Sequence, residues 1–264
     1  MTSGTLPPPP LATVPRAHLG HAIASEWTKI RSVQSTVWTL LLMIVFIVGI
    51  GGFAVLYSDD GTVRPGDDII SLGFGGFLIG QIAIIALGVL TISSEYGTGM
   101  IRTTLTNCPQ RARVLTAKAL VFFGLVFALG TAAIGVFTVL ALAVLGNQAG
   151  GQPTATLLRT VLGGGLYLAV IGLMSLAVGA LLRHSAGAIT AMLGFVLLPL
   201  ILGLFTGERI GGLLIKYSPV SISAALFGEG LDETANGWHL LGWLSGLTAV
   251  LLALAYAMVA KRDV

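Results

Sequence analysis

The chain has little charge. Only 9% of its 264 residues are Asp, Glu, Lys or Arg, against about 25% in typical soluble domains. Hydrophobic residues make up 55% of the chain, and its mean hydropathy is +0.94. This composition excludes an ordinary soluble domain and predicts a membrane protein. The net charge of +3 gives no reason to expect nucleic-acid binding. It is interpreted by location instead, because basic residues near membrane spans report orientation.

Cysteine and catalytic motifs are also scarce. Cys108 is the single cysteine, which excludes an internal disulfide. The sequence contains no GxxxxGK[ST] loop to hold nucleotide phosphates, no HExxH and no GxSxG. Its four histidines are scattered and do not predict a metal site. We therefore expect neither enzymatic activity nor a cofactor in this chain.

Long apolar runs are what the sequence does have. A helix that crosses a bilayer needs roughly 20 apolar residues. Six runs without Asp, Glu, Lys or Arg qualify, namely 36–57, 69–92, 119–146, 160–182, 186–206 and 239–260. The Pro-rich residues 1–16 have no apolar core of a signal peptide, and we interpret them as a disordered tail. The remainder, 17–264, is predicted to form a single transmembrane domain.

The basic residues predict the orientation of these spans. An even number of spans places both termini on one side, and ten of the 14 Lys and Arg residues fall on that side. The four others are Arg64, Arg159, Arg209 and Lys216. By the positive-inside bias, both termini are predicted to be cytoplasmic, in a multi-pass protein of the bacterial plasma membrane.

The spans are predicted to carry no ionisable side chain. Ion-coupled carriers usually place such groups within the bilayer, so energy for uphill transport would have to come from another subunit. Gln81, Ser175 and Thr190 are candidates to line a path for an amphipathic or apolar substrate. The alternative is that they form hydrogen bonds between helices.

Two glycine motifs and the connection before the last predicted span also carry structural information. Gly76 with Gly80 and Gly242 with Gly246 form GxxxG motifs, which favour either packing within the chain or a dimer seam. The outer stretch 207–238 is too apolar at 213–227 for a free loop. It predicts a short re-entrant or surface-lying pair of helices, with a partly ordered loop as the alternative.

Two segments of the sequence resemble a known family. SEWTKIRSVQSTVWTLLL at 25–42, and ISSEYGTGMIRTTL at 92–105 followed by PQRARVLTAKAL, are similar to membrane subunits of type-2 ATP-binding-cassette exporters. The closest likeness is to the compact six-span permeases common in actinobacteria. The resemblance implies an all-α membrane protein with six transmembrane helices, an N-terminal amphipathic elbow helix at 17–33 and a re-entrant outer element at about 208–230. It also implies a segment at 94–106 that couples the spans to an ATPase.

The resemblance further implies partners. Two permease subunits, forming a homodimer or a heterodimer, would work with two copies of a soluble ATPase that binds ATP and magnesium. Contacts with the ATPase would come from Glu95, Tyr96, Met100, Ile101 and Arg102. The leading interpretation is therefore the permease subunit of an ATP-driven exporter. An ion-coupled carrier and a membrane anchor or sensor without transport are the alternatives.

Glu26 stands out in the elbow helix, whose pairing residues are predicted to be Glu26, Lys29 and Arg31. At 100° per residue, it falls in the middle of an apolar stripe formed by Leu19, Ile23, Ile30 and Val33. A lone carboxylate there needs a partner. Arg102 is the first choice, with Arg111 or Arg113 behind it. Local pairing with Lys29 or exposure to lipid headgroups is the alternative.

Overall fold

A computed structural model describes residues 19–58, 64, 66–97, 111–229 and 236–261. Within these ranges the chain is helical and has no β-strand. Six helices are long and apolar enough to cross a membrane, as predicted. We name them spans 1 to 6, and they run Gln34–Leu56, Ile69–Gly97, Ala112–Ala149, Thr154–Leu182, Ser185–Phe205 and Gly237–Val259.

Two of the spans contain short π-helical segments. Span 1 is α-helical over Gln34–Ile44, π-helical over Val45–Ile50 and α-helical again over Gly51–Leu56. Span 4 has the π segment Arg159–Gly163 between Thr154–Leu158 and Gly164–Leu182. Span 2 starts with the 3-10 turn Ser71–Gly73 before the α-helix Phe74–Gly97. The α-helices of spans 3 and 6 are Arg111–Ala149 and Gly237–Lys261.

A separate N-terminal helix, Leu19–Ser32, precedes span 1 and matches the predicted elbow helix. Val33 adopts an extended conformation between the two, which breaks the helix and lets the chain change direction. Glu26 is the single fully buried residue of this helix. The middle of the apolar stripe therefore faces the protein, although the residue placed there is a carboxylate.

Spans 2 and 3 are longer than their apolar runs. Span 2 continues past residue 92 to Gly97, and span 3 begins at Ala112 rather than at 119. These extensions bring Glu95 and Lys118 into the helices. The prediction that the spans hold no ionisable residue is thus correct for the apolar runs but wrong for the complete helices.

Span 4 is the centre of the bundle. In its most apolar stretch 72% of the residues are buried, against 22% in span 5. Glycine allows span 4 to approach span 2 closely, because a Cβ atom added at Gly88 would lie 2.5 Å from the carbonyl oxygen of Gly172. Spans 2, 3 and 6 all pack against span 4.

The two GxxxG motifs have different surroundings. A Cβ atom at Gly76 would lie 2.5 Å from the carbonyl oxygen of Phe46, and one at Gly80 would lie 2.9 Å from Ile47. The first motif therefore packs span 2 against the middle of span 1, within the chain. Gly242 and Gly246 have open space around them in the described chain, so a dimer seam there stays a prediction.

The outer stretch forms the predicted pair of helices, which we call the re-entrant pair. The helices Glu208–Lys216 and Pro219–Phe227 meet at an angle of 65°. Ser218 caps the second helix and Pro219 occupies its first turn, where a missing backbone N–H has no cost. By length and composition, the pair could also be counted as one broken, seventh span.

The second helix of this pair is held inside the bundle. The carbonyl oxygen of Leu226 accepts hydrogen bonds from Thr160 at 2.9 Å and from Arg159 at 3.3 Å. The helix then ends at Gly228 with φ +87°, and a Cβ atom there would lie 2.3 Å from the carboxylate of Asp68. Glycine is therefore required at this position for both its conformation and its size.

Candidate functional site

Four charged side chains meet where the N-terminal helix contacts the ends of spans 2 and 3. We call Glu26, Lys29, Glu95 and Lys118 the charged quartet. Glu26 and Lys29 lie three residues apart on one face of the N-terminal helix, so both point toward the bundle. Glu95 comes from the last turn of span 2, and Lys118 from the second turn of span 3. Residues 92 positions apart in sequence are thereby brought into contact.

The quartet closes into a ring of ion pairs. Lys29 Nζ lies 2.8 Å from Glu26 Oε1 and 3.0 Å from Glu95 Oε1. Lys118 Nζ lies 2.7 Å from Glu26 Oε2 and 3.0 Å from Glu95 Oε1. Each ammonium group therefore donates to both carboxylates. The formal charges of the four groups cancel.

Because most of this ring is buried, its charged groups must be paired at short distance. The side chains of Glu26, Glu95 and Lys118 are 5%, 7% and 4% exposed, while Lys29 is 28% exposed. Charges removed from water are tolerated only when they are paired at short distance. Burial by itself lowers the pKa of Lys29, but its contacts with Glu26 and then Glu95 outweigh this effect, and the net pKa is raised. Lys29 therefore remains an ammonium group inside the ring.

The structure gives Glu26 two lysine partners. Both of its oxygens bond to lysines, to Lys29 as in the local alternative and to Lys118, which was not considered. Arg102 lies outside the described residues, and so does the side chain of Arg111. Arg31, the third predicted pairing residue, is exposed.

Lys118 carries a signal in the sequence that could have identified it. It lies four residues after Val114, three after Leu115 and four before Phe122, all of which are buried. This is the helical periodicity that singled out Glu26. From sequence, Lys118 counted only as one of the ten basic residues that report orientation. Its contact with the N-terminal helix was therefore not predicted.

The end of span 2 is also held from the other side. The guanidinium of Arg183 stacks on the ring of Tyr96 at 4.7 Å, and the Ser93 and Ser185 hydroxyls lie 2.8 Å apart. Arg183 ends span 4 in a left-handed conformation, with φ 53°. The turn between spans 4 and 5 therefore packs against the last turns of span 2.

Most of the predicted coupling segment cannot be compared with the structure. Met100, Ile101 and Arg102 lie outside the described residues, while Glu95 and Tyr96 lie at the end of span 2 in the contacts just given. Their role in contacting an ATPase stays a prediction. The segment 98–110 connects Gly97 to Arg111, so it joins the two helices that supply Glu95 and Lys118.

The candidate path residues have different surroundings. The Gln81 side chain is buried and lies 2.8 Å from the hydroxyl of Tyr167, which is also 3.0 Å from the carbonyl oxygen of Pro219. Ser175 is buried and donates to the carbonyl of Ile171 in its own helix. Thr190 is exposed. Gln81 thus forms a hydrogen bond to another helix, and Ser175 forms one within its own helix. A role for these residues in substrate passage stays a prediction. Among the described residues, no group of three or more His, Cys, Asp or Glu side chains could hold a metal ion.

The quartet joins three helices through paired charges. Its groups are paired with one another, and they tie the N-terminal helix to the two helices that flank the segment 98–110. A displacement of that segment would act on Glu95 and Lys118 first. Through them it would reach the N-terminal helix and span 1.

Comparison with known proteins identifies the family. A sequence model described as ABC-2 family transporter protein matches residues 22–198, which is about two thirds of the chain and includes the whole quartet. No curated protein matches the chain significantly. The match agrees with the six apolar spans and with the family resemblance of the segments at 25–42 and 92–120. The chain therefore belongs to the ABC-2 transporter family, as a multi-pass membrane permease subunit that works with a separate ATPase.

Proposed function

We propose that this permease subunit exports an amphipathic or apolar molecule from the cell. Two permease subunits would form the path, and two ATPase subunits would bind the cytoplasmic face. The ten-to-four sorting of Lys and Arg supports cytoplasmic termini. In this orientation the quartet lies at the cytoplasmic boundary of the membrane. The neutral interior supports a substrate without a strong charge.

The charged quartet is the observation that carries this proposal. Export driven by a separate ATPase requires that motion outside the membrane reach the spans. The segment 98–110 begins and ends at helices that contribute to the quartet. Closure of the ATPases would move this segment, and the buried ring would pass the displacement to the N-terminal helix. Spans 1, 2 and 3 would then move as one body, as in other rigid-body transitions.

Crosslinking tests the docking step. In a Cys108→Ser background, Met100→Cys should crosslink to the partner ATPase, because 94–106 is the predicted coupling segment. Leu213→Cys, on the exposed first helix of the re-entrant pair, is the matched control and should not crosslink. Crosslinks from Leu213→Cys, or from the N-terminal tail alone, would contradict the proposed docking.

Thiol labelling tests the orientation. A membrane-impermeant maleimide added to intact cells should leave Cys108 unlabelled and should label Leu213→Cys. After the membrane is opened, both should react. Labelling of Cys108 in sealed cells would reverse the orientation and, with it, the face on which the ATPase binds.

Reconstitution tests the source of energy. In proteoliposomes, the permease without its ATPase should not concentrate any cargo under a proton or sodium gradient, because Glu95 and Lys118 are paired with each other near the ends of spans 2 and 3 and Arg159 lies near Asp68 in the first part of span 4. ATP should drive uptake into inside-out vesicles once the ATPase is added. Accumulation driven by an ion gradient alone would overturn the exporter proposal.

A further inference from the structure

An open cleft lies beside the charged quartet. It has a volume of about 280 Å³ and runs between the N-terminal helix, the start of span 1 and the last turns of span 2. Glu26, Lys29, Glu95 and Lys118 form its polar end. Val33, Leu87 and Leu90 contribute to its apolar wall. Val33 and Leu90 are 46% and 40% exposed, so the cleft is open on the outside of the bundle.

Three oxygen atoms of the cleft can still accept a hydrogen bond. Thr39 donates its hydroxyl hydrogen to the carbonyl of Ser35, and Thr91 donates to the carbonyl of Leu87. A hydroxyl has one hydrogen, so both oxygens are left only to accept. Glu95 is 6% exposed, and its Oε2 atom has no hydrogen-bond partner among the described residues. A buried carboxylate oxygen without a donor is costly, and a donor-bearing ligand would remove that cost.

The hydrogen bonding of the quartet favours a ligand with N–H donors over an anion. Lys29 and Lys118 each already bond to both carboxylates. A phosphate group on its own would have to compete with Glu26 and Glu95 for them. A primary ammonium group could instead bond to Glu95 Oε2 and to the hydroxyl oxygens of Thr39 and Thr91, which can each still accept a hydrogen bond. Hydrogen bonds between such a group and a carboxylate are among the stronger ones in proteins.

The position of the cleft indicates an amphiphilic ligand. Spans 1 and 2 begin and end beside it, so its polar end lies at a membrane boundary and its apolar wall lies deeper. We propose that the cleft binds a phospholipid whose headgroup ends in a primary ammonium, such as phosphatidylethanolamine. The ammonium bonds to Glu95 and Thr91, and one acyl chain lies against Leu87 and Leu90. Because Glu95 Oε2 is shielded in this conformation, binding includes a rotation of that carboxylate toward the ammonium.

Site-specific photocrosslinking tests this proposal whichever way the protein transports. A benzophenone amino acid replaces Leu90 in the cleft or, as the matched control, Leu120, which is 52% exposed near the same end of span 3. The purified permease is placed in nanodiscs of equal parts phosphatidylethanolamine, phosphatidylcholine and phosphatidylglycerol. Mass spectrometry of the adducts then gives the lipid ratio at each position.

At position 90, phosphatidylethanolamine should be enriched roughly fivefold to tenfold over phosphatidylcholine, whose quaternary ammonium has no N–H donor. At position 120, the ratio should equal that of the bilayer. Glu95→Gln and Thr91→Val should each reduce the enrichment, and Thr91→Val leaves the quartet intact if Glu95→Gln fails to fold. Thr190→Val, on the exposed face of span 5, should not change it.

Three outcomes would overturn the proposal. An equal lipid ratio at both positions would show that the cleft does not select a headgroup. Enrichment of phosphatidylglycerol at position 90 would show that the lysines bind an anion. Adducts at position 120 with none at position 90 would show that lipid does not enter the cleft.

Discussion

The two ends of this bundle are held together in different ways. At the quartet end, four charged groups are paired at 2.7–3.0 Å, and all but Lys29 are buried. At the other end, Arg159 and Asp68 lie 3.8 Å apart with both side chains 30% exposed. There the re-entrant pair is held mainly by apolar burial and by hydrogen bonds to the carbonyl of Leu226. The quartet end thus depends on specific charge partners, and the re-entrant end depends on shape.

This difference matters for a protein that must transmit motion. Apolar packing tolerates small sliding, since its energy depends weakly on direction. Buried ion pairs do not tolerate it, because separation leaves a charge without a partner in a medium of low dielectric constant. A ring of such pairs therefore moves as a unit or breaks. Its place beside the predicted coupling segment fits a rigid link.

The largest expected effect is the loss of Lys118. Lys118→Met should lower the free energy of unfolding by about 3–5 kcal/mol, because it leaves Glu26 Oε2 and Glu95 buried with one cation between them. Thermal unfolding of the purified protein measures this change. Arg31→Met removes a cation from an exposed position of the N-terminal helix and should cost less than about 0.5 kcal/mol.

A second substitution should restore part of the loss. Adding Glu26→Gln to Lys118→Met removes the opposite charge and leaves the Lys29–Glu95 pair in place. The double variant should therefore be more stable than the sum of the single changes predicts. If the two losses simply add, the groups do not act as one ring.

The re-entrant end should respond to shape instead. Gly228→Ala should destabilise the protein by about 1–2 kcal/mol, because its left-handed conformation and the nearby Asp68 carboxylate leave no room for a Cβ atom. Gly212→Ala is the matched control within the same helix pair. It has open space and a helical backbone, so alanine should be neutral or slightly stabilising there. Equal melting temperatures for the two variants would contradict this account of the turn.

The smallest expected effect concerns Asp68 and pH. Burial raises the pKa of Asp68, although the backbone N–H of Ile70 and the charge of Arg159 act against it. A raised pKa means that the folded state binds the proton more tightly than the unfolded chain. Asp68 therefore favours folding below its ordinary pKa, and this contribution is lost as the pH rises through the raised value.

Asp68→Asn should consequently melt at the same temperature as the parent protein, or slightly higher, at neutral pH. The difference should shrink as the pH falls below the ordinary range of aspartate. Melting curves from pH 3 to pH 8 measure it, with Asp67→Asn as the exposed neighbour for comparison. A clear destabilisation by Asp68→Asn at neutral pH would show that its pairing with Arg159 outweighs its burial.

The quartet end has a pH dependence of the same sign, but in a more alkaline range. The raised pKa of Lys29 gives stability that is fully present below its ordinary value of 10.5 and is lost only as the pH rises above it. Lys29→Met should therefore destabilise the protein equally at pH 6 and pH 8. A loss that appears at only one of these pH values would contradict the assignment of Lys29 to the ring.

Much of the fold was readable from sequence, because apolar runs and charge placement have simple physical meanings in a membrane. The six spans, the N-terminal helix and the re-entrant pair all follow from hydropathy and periodicity. Glu26 was identified as a buried carboxylate because it interrupts an apolar stripe. The helices of spans 2 and 3 extend past their apolar runs since the charges there are neutralised by partners that lie far away in sequence.

The side-chain contacts between helices could not be predicted from the sequence. Glu95 was assigned to the surface of a coupling segment, whereas it is buried between two lysines. Gln81 was a candidate path residue because it is polar within a span, yet Tyr167 occupies its side-chain oxygen. Periodicity shows which face of a helix a residue shares. It does not show which helix packs against that face.

A distance measurement on the assembled transporter tests the central claim that the quartet passes motion to the spans. Spin labels at Leu56→Cys and Leu204→Cys, in a Cys108→Ser background, report on the exposed far ends of spans 1 and 5. Trapping ATP in the ATPase should change their separation in the parent protein and in Arg31→Met. In Glu26→Gln/Lys118→Met, which keeps only the Lys29–Glu95 pair, the account predicts that the ATPase still binds and hydrolyses ATP but the change in separation is much smaller. An undiminished change in that variant would contradict it.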